Sequence, residues 1–395
     1  MTVEGNSLSM RILVNTASTL KGGGVQVALS FLRECIALGE HHYGVIVGPG
    51  LNAALREEEF PENFEFFRIG YRPAQRLLSF RGPAYDLRAV ESTYQPDVVF
   101  TTTGPSYWRP NAPHLMGFNL PHPLYPESPY FAQILNRRQR LRWYAKCQAI
   151  RYFTHGFADG WVVQTDDANR RLGAWIERDQ VFTVPNTISS AYSRLGTIMS
   201  ASKALESMAE GNFFRILILS SYHRHKNLEI LNDIIPLMRE RAIDDIRFVL
   251  TLPTEDFNKV ILPEHRFLVD NVGPQLPESC PALYQATDAL FLPTLMECFS
   301  ANYVEAMAMR PPIITTDLGF ARAICGEAAL YFQPLNPRQA LARISELRAN
   351  PGVHKRLVEN GAQQLSRFGT SRERAGAFLA LCRDLVERTS NGSER

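Results

Sequence analysis

Long apolar runs are missing from this 395-residue chain, and none approaches the 18 residues that a membrane-crossing helix needs. The opening residues, MTVEGNSLS, carry an acid and no apolar core, which predicts a frayed terminus rather than a secretory leader. The six cysteines, at 35, 147, 280, 298, 325 and 382, never fall in a Cys-x-x-Cys pair. They read as reduced thiols of a cytosolic protein, not as a disulfide frame or a zinc site. No Asp-x-Asp occurs, so the usual carboxylate clamp for a diphosphate-bound Mg²⁺ is absent. No lysine follows a glycine and no Gly-x-Gly-x-x-Gly is present, which counts against ATP hydrolysis and dinucleotide redox chemistry. Charge of one sign is not in excess either. With 42 Lys and Arg against 40 Asp and Glu, the net charge of +2 does not suit a general nucleic-acid binder.

What is present is the length for two domains and an alternating pattern that appears twice. Strand-like runs stand at 11–15, 43–48, 64–69, 97–102, 114–119, 160–165 and 180–184, with helices between them, clearest at 25–39 and 132–155. The alternation lapses over 193–212, which is rich in small and polar residues. It restarts with strands at 214–221, 246–252, 289–294, the PPIITT run and 329–334, and helices at 227–241, 279–287, 301–309 and from 337 to 388. Such alternation is the mark of parallel α/β sheets. The expected plan is a first Rossmann-like domain over 10–195, a linker over 196–212 and a second Rossmann-like domain over 213–370. A C-terminal helix over 371–388 packs back on the first domain. Two doubly wound domains of this kind would face across a cleft lined by the carboxyl ends of their strands.

Chemistry-bearing residues cluster after strands. In TLMECFSANYVEAMAMRPPIITTD (294–317), Glu297 and Glu305 lie eight positions apart around a helix expected to begin at Ala301. A helix N-terminus after a parallel strand is a seat for an anion such as phosphate, which leaves the carboxylates to accept hydrogen bonds from neutral hydroxyls. A nucleotide sugar carries both parts. Composition alone equally allows a solvated helix residue and a loop acid. SSYHRHKNL (220–228) brings Lys226 to the end of the second domain's first strand, where it could neutralise a leaving diphosphate. KGGGVQVAL (21–29) sets Gly23 and Gly24 directly after the first strand, where backbone can approach a ligand. FNLPHPLYP (118–126) holds His122 in a proline-stiffened loop at a strand's carboxyl end. From Ser128 to Ala158 there is no acid, but Arg137, Arg138, Arg140, Arg142, Lys146 and Arg151 are interleaved with Trp143, Tyr144 and Phe153. That helix could lie on an anionic membrane or simply pack by its aromatic face.

The stretch ECFSANYVEAMAMRPPIITTDLGFARAICGEAALYFQPLNP resembles the donor-binding signature of family 4 retaining glycosyltransferases, which have the GT-B fold. The resemblance runs over roughly residues 10–380 and is strongest from 288 to 334. It implies that Glu305 holds the nucleotide ribose, that Glu297 faces the transferred sugar and that the amides of Phe299 and Ser300 hold the diphosphate. It further implies catalytic parts for His122, Lys226 and Glu297, with Gly23 and Gly24 near the donor phosphates. The chain departs from the usual Glu-Gly-Phe-Gly turn with ECFS. It also lacks the arginine that the family places five or six positions before Lys226, where Ser220 and Ser221 stand and Arg224 is the available substitute.

The resulting expectation is a cytosolic, metal-independent, retaining glycosyltransferase that moves a sugar from a nucleoside diphosphate sugar to an acceptor hydroxyl in polysaccharide or lipid-linked glycan assembly. No cofactor beyond that substrate is expected, and the 128–158 segment allows peripheral contact with the inner membrane face. The rivals are a nucleotide-sugar epimerase of GT-B fold and a nucleotide-sugar-binding protein without transfer activity.

Overall fold

The computed structural model describes residues 9–20, 22–80, 82–188, 192, 206, 208 and 210–392. The linker expected over 196–212 therefore lies largely outside the described residues. The chain divides into two compact units. One comprises Met1–Leu124, Leu141–Asn186 and Gly369–Arg395, and the other Tyr125–Arg140 and Thr187–Phe368.

The first unit is built on seven parallel strands: β1 (Arg11–Asn15), β2 (His42–Val47), β3 (Phe64–Arg68), β4 (Val98–Thr101), β5 (His114–Gly117), β6 (Gly160–Val163) and β7 (Val181–Thr183). Their order is β3-β2-β1-β4-β5-β6-β7. Runs such as ILV and VVF are apolar at consecutive positions because both faces of a parallel sheet are covered by helices. On one face Ile12, Val14, Val45 and Phe100 are buried against helices Gly23–Leu38 and Ser371–Gly392. The rings of Phe31, Phe100 and Phe378 meet there with centroids 5.0–5.7 Å apart. Helix Ser371–Gly392 is tied to this unit by Arg374, which donates to Ser30 Oγ at 2.9 Å, and by Arg388, which donates to Gln180 Oε1 at 2.6 Å. On the other face Leu13, Ile46 and Val99 pack with Leu87, Tyr94 and Trp108. Gly44 lets the Tyr94 ring pack close to β2, since a Cβ there would stand 3.0 Å from it.

The second unit repeats the plan with β8 (Phe214–Ile218), β9 (Ile246–Leu250), β10 (Val269–Asn271), β11 (Ala289–Leu292), β12 (Ile313–Thr316) and β13 (Ala329–Phe332) in the order β10-β9-β8-β11-β12-β13. Its core joins Ile216, Phe248 and Phe291 to Ile234, Met238, Leu341 and Ile344. Edge strand β10 has no counterpart in the sequence reading. Three residues that include Asp270 and Asn271 give almost no strand signal. In both sheets the connections leave in opposite directions from the first strand, so a crevice opens beyond the carboxyl ends of β1 and β4, and of β8 and β11.

Two boundaries need correction. Residues 125–140, expected in the first domain, group with the second unit. Ser128 Oγ donates to the Leu295 carbonyl at 2.7 Å, and the Tyr125 ring meets Phe320 edge-on at 5.8 Å. The helix expected from 132 begins at Arg137. Asn136 accepts from the Gln139 amide at 2.9 Å while Gln139 Oε1 accepts from the Asn136 amide at 3.0 Å, a reciprocal cap that fixes the start. Among the described residues, no helix is long and apolar enough to cross a membrane.

A polar chain crosses the first sheet. Asn15 donates to Thr101 Oγ1 at 3.1 Å, and Thr101 Oγ1 lies 2.8 Å from His114 Nε2. His114 Nδ1 meets the Phe157 carbonyl, which can only accept, so Nδ1 carries the proton and Nε2 accepts from Thr101. Burial pushes this imidazole down to about 4. The unfolded chain takes up that proton near pH 6.5, so stability is complete above pH 6.5 and is lost as pH falls towards 4. Thermal melts from pH 7.5 to 4.0 should show a falling midpoint, and His114→Gln should flatten the decline between pH 6.5 and 4. An unchanged slope in that variant would remove His114 as its source.

Candidate active site

The crevice of the second unit is formed by the loops after β8 and β11. After Ile218 the chain passes through a tight turn, Arg224–Lys226, and reverses at Asn227, whose φ of 53° is left-handed. The two loops are then joined. Leu295 N donates to the His225 carbonyl at 2.8 Å, Thr294 Oγ1 reaches the same oxygen at 3.3 Å, and Asn227 Nδ2 donates to the Pro293 carbonyl at 3.3 Å. This joint brings Lys226 Nζ to 2.6 Å from Glu297 Oε1, with the two side chains only 17% and 10% exposed.

Beyond Glu297 the chain turns through Cys298, Phe299 and Ser300 into helix Ala301–Met309. Ser300 is extended and buried, and its side chain does not cap the helix. No acid occupies the first turn, so the positive end of the helix is not offset locally. The helix is fixed from below. Tyr303 OH donates to Thr315 Oγ1 at 2.8 Å, and that hydroxyl in turn donates to the Leu292 carbonyl at 2.8 Å. Asn302 Nδ2 bonds the Leu219 carbonyl, which ties the helix start to the end of β8. The Phe299 ring packs edge-on against Phe368 at 5.9 Å.

Glu305, one turn on, is partly buried. Tyr284 OH donates to its Oε2 at 2.9 Å, and the Tyr192 hydroxyl is a second donor. Burial raises the carboxyl above its ordinary range, and the two hydroxyls draw it part of the way back. Neither tyrosine was foreseen. Tyr284 sits on helix Cys280–Gln285, two elements from the signature, and a buried tyrosine in such a helix reads as core.

The remaining expected residues make other contacts. Arg224 donates to the Ile134 carbonyl at 3.0 Å. Gly23, Gly24 and His122 belong to the first unit. Of the three consecutive glycines, Gly22 is the one with a left-handed φ, at 65°, and it precedes the first turn of helix Gly23–Leu38. A Cβ on Gly23 would meet nothing within 4 Å, and one on Gly24 would touch Thr19 and Thr103 at 3.7 Å. Neither glycine is therefore required by close packing within its own unit. His122 lies flat on Trp143, with ring centroids 3.8 Å apart and planes 6° from parallel, and Lys146 Nζ stands 4.3 Å from the same indole. A cavity of about 880 Å³ runs beside edge strand β13 and is lined by Asp317, Arg322, Tyr331, Arg343 and Arg356. Lys226, Glu297 and Glu305 do not line it, and it is not the site of the chemistry argued here.

Two parallel sheets of seven and six strands, each with helices around it and each reversing at its first strand, constitute a GT-B fold. Residues 214–350 match the family described as Glycosyl transferases group 1, which shows the resemblance read from the sequence over the part that carries both glutamates and Lys226. Among solved structures, the chain is similar to sucrose-phosphate synthase from Thermosynechococcus elongatus (TM-score 0.72, 16% identity, 96% of this chain and 99% of that one). It is also similar to a UDP-forming α,α-trehalose-phosphate synthase from Burkholderia vietnamiensis (0.68, 13%, 97% and 98%). Anabaena HepE in complex with UDP and glucose is a third (0.65, 14%, 96% and 99%). No curated protein matches the chain by sequence.

The geometry sets a test of Glu305. Glu305→Ala should weaken nucleoside diphosphate binding by about 1.5–3 kcal/mol, the range for a hydrogen bond to a charged acceptor. Tyr284→Phe removes a donor that favours the ionised carboxyl, so binding should fail at a higher pH than in the wild type. Calorimetry at several pH values reads both, and equal profiles for Tyr284→Phe and wild type would detach the tyrosine from the site.

Proposed function

We propose that the chain is a retaining glycosyltransferase that moves a sugar from a nucleoside diphosphate sugar to an acceptor hydroxyl without a metal ion. The observation that carries this reading is the Lys226–Glu297 pair, set at the strand-order reversal beside an uncapped helix N-terminus. A diphosphate in that crevice meets the helix's positive end and an ammonium group. Glu305 receives the ribose hydroxyls, the backbone at Phe299 and Ser300 the phosphate oxygens, and Glu297 the hydroxyls of the transferred sugar. UDP in the HepE complex supports a nucleotide ligand for this fold.

In the reaction, the bond between the anomeric carbon and the diphosphate oxygen breaks as the acceptor oxygen bonds to the same face of that carbon. The acceptor's proton passes to the departing diphosphate, whose growing charge Lys226 and the helix terminus stabilise. The absence of any Asp-x-Asp supports metal independence. His122 is assigned to the sugar from the family resemblance, with its ring plane held by Trp143. An epimerase would act on the donor alone, and a binding protein would bind nucleotide without turnover. Product analysis with and without acceptor separates the three.

A lipid-linked acceptor is favoured by one observation. Helix Arg137–His155 buries only Ile150 and Thr154, and it leaves Leu141, Tyr144 and Tyr152 65–69% exposed among its basic residues. The protein would then work as a cytoplasmic enzyme in peripheral contact with an anionic membrane face, in surface polysaccharide or lipid-linked glycan assembly.

Lys226→Ala should lower turnover by roughly 10²–10³. Turnover near the wild-type value would reduce the basic turn to solvated surface. Glu297→Gln should act in two directions, keeping or tightening nucleoside diphosphate affinity as Lys226 is released while turnover falls. Loss of both would show the carboxylate to be a structural brace. Activity should survive EDTA, and abolition with recovery on Mg²⁺ would reject the metal-independent step.

A further inference from the structure

Exposed large apolar side chains are unevenly distributed among the described residues. Leu20, Leu77, Leu78, Phe80, Tyr85, Leu141, Tyr144 and Tyr152 belong to the first unit, against Leu262, Phe267 and Leu276 in the second. Two of them, Leu78 at 102% and Phe80 at 108%, are as exposed as a side chain can be. The loop that carries them is nevertheless well built. Pro73 is buried at its base, and the Arg76 guanidinium lies 3.4 Å over the Tyr71 ring and 3.1 Å from Asp86 Oδ2. Ser79 donates to the Arg76 carbonyl through both its amide and its hydroxyl, at 3.1 and 3.0 Å. Gly82, with φ at 69°, closes a second turn onto the Ser79 carbonyl at 2.9 Å. Two tandem turns anchored at both ends thus hold a leucine and a phenylalanine out in water, two residues apart, beside the further exposed apolar side chain of Leu77.

The neighbourhood says what would cover them. The Arg72 charge acts on the Tyr107 hydroxyl, and the Tyr107 ring packs at 4.9 Å on Phe153 of helix Arg137–His155. The loop's base therefore adjoins the helix whose exposed Leu141, Tyr144 and Tyr152 alternate with Arg142 and Lys146, in a segment with no acid from 128 to 158. A cationic, acid-free surface beside a projecting apolar tip complements anionic headgroups over an acyl layer.

We infer that the turn carrying Leu78 and Phe80 is an insertion wedge that seats the first unit on an anionic lipid bilayer, with both side chains entering the acyl boundary. The inference rests on the membrane reading above and adds a second, apolar contact to it. Cationic attraction is screened by salt and apolar insertion is not, so the two parts separate experimentally. The test is co-sedimentation with vesicles of phosphatidylglycerol and phosphatidylcholine at low and high salt, with the indole emission of a Phe80→Trp variant as a local probe.

Wild type should bind at low salt and keep a bound fraction at high salt. Leu78→Ser with Phe80→Ser should lose that salt-resistant fraction, roughly tenfold or more in partitioning, with melting and nucleotide binding unchanged. Arg142→Gln with Lys146→Gln should weaken binding chiefly at low salt, and the emission of the Phe80→Trp variant should shift to the blue on anionic vesicles. Wild type remaining in the supernatant at low salt overturns the membrane reading itself. Wild-type binding that the double serine variant matches at both salt concentrations, with no blue shift in the Phe80→Trp variant, overturns the wedge alone. Equal binding to pure phosphatidylcholine overturns the anionic preference.

Discussion

The joint between the turn after β8 and the end of β11 governs the candidate site. One backbone bond, from Leu295 N to the His225 carbonyl, sets two loops from non-consecutive strands into register, and Thr294 and Asn227 reinforce it from either side. Without it, Lys226 and Glu297 would be two solvated loop residues 71 positions apart in sequence. With it they form a nearly buried ion pair. The sheet order makes this joint available, because the space between β8 and β11 is where the connections diverge. Glycosyl transfer in this reading depends on topology first and on side chains second.

The same dependence explains what could be read from the sequence. Helix Ala301–Met309 was legible to its first and last residues because Pro311 and Pro312 stop it and an apolar strand precedes it. Glu297 and Lys226 stood out because each lies in a loop after a strand, and Glu305 because it lies eight positions after Glu297 on the helix that follows. Tyr284 and Tyr192 were not, since their importance lies in a hydroxyl meeting a carboxylate across the fold, and no local period records that. The edge strand β10 was missed for a thermodynamic reason. Its place beside β9 is fixed by tertiary contacts, with Val269 buried in the core beside Leu268 and Val260 and the Asn271 side-chain amide bonding both the N–H and the carbonyl of Leu252 at 3.0 and 2.9 Å, none of which a local strand pattern records. Strand alternation assigns residues 125–140 by sequence order, whereas tertiary contacts group them with the second unit: Ser128 to the Leu295 carbonyl, the Tyr125 ring to Phe320 and Arg224 to the Ile134 carbonyl.

The two units spend their buried polar groups differently. In the first, Asn15, Thr101 and His114 satisfy one another in a closed chain that ends on a carbonyl, so nothing is left over for a ligand. In the second, the polar groups near the crevice are held on one side only. Glu305 receives two tyrosine hydroxyls, and an ionised carboxylate has about four acceptor positions. Capacity remains on it for further donors, which is what a pair of ribose hydroxyls would supply. A network that closes on itself stabilises a fold, and one that stays open can bind.

The Lys226–Glu297 pair then has a reading beyond static structure. An ammonium and a carboxylate taken this far out of water both lose hydration, and either one left alone would be costly. Pairing offsets part of that cost. Under the proposed function, a diphosphate arriving at the helix terminus would compete with Glu297 for the same ammonium. Were the lysine to turn to phosphate, the carboxylate would need donors, and the hydroxyls of the incoming sugar would be the nearest in kind. Donor binding and sugar recognition would then be one exchange, in which a lysine–phosphate contact and a carboxylate–hydroxyl contact replace the ion pair. A nucleoside diphosphate alone would satisfy half of that exchange. Discrimination between donor and spent nucleotide can thus arise from Glu297 without any pocket shaped for the sugar.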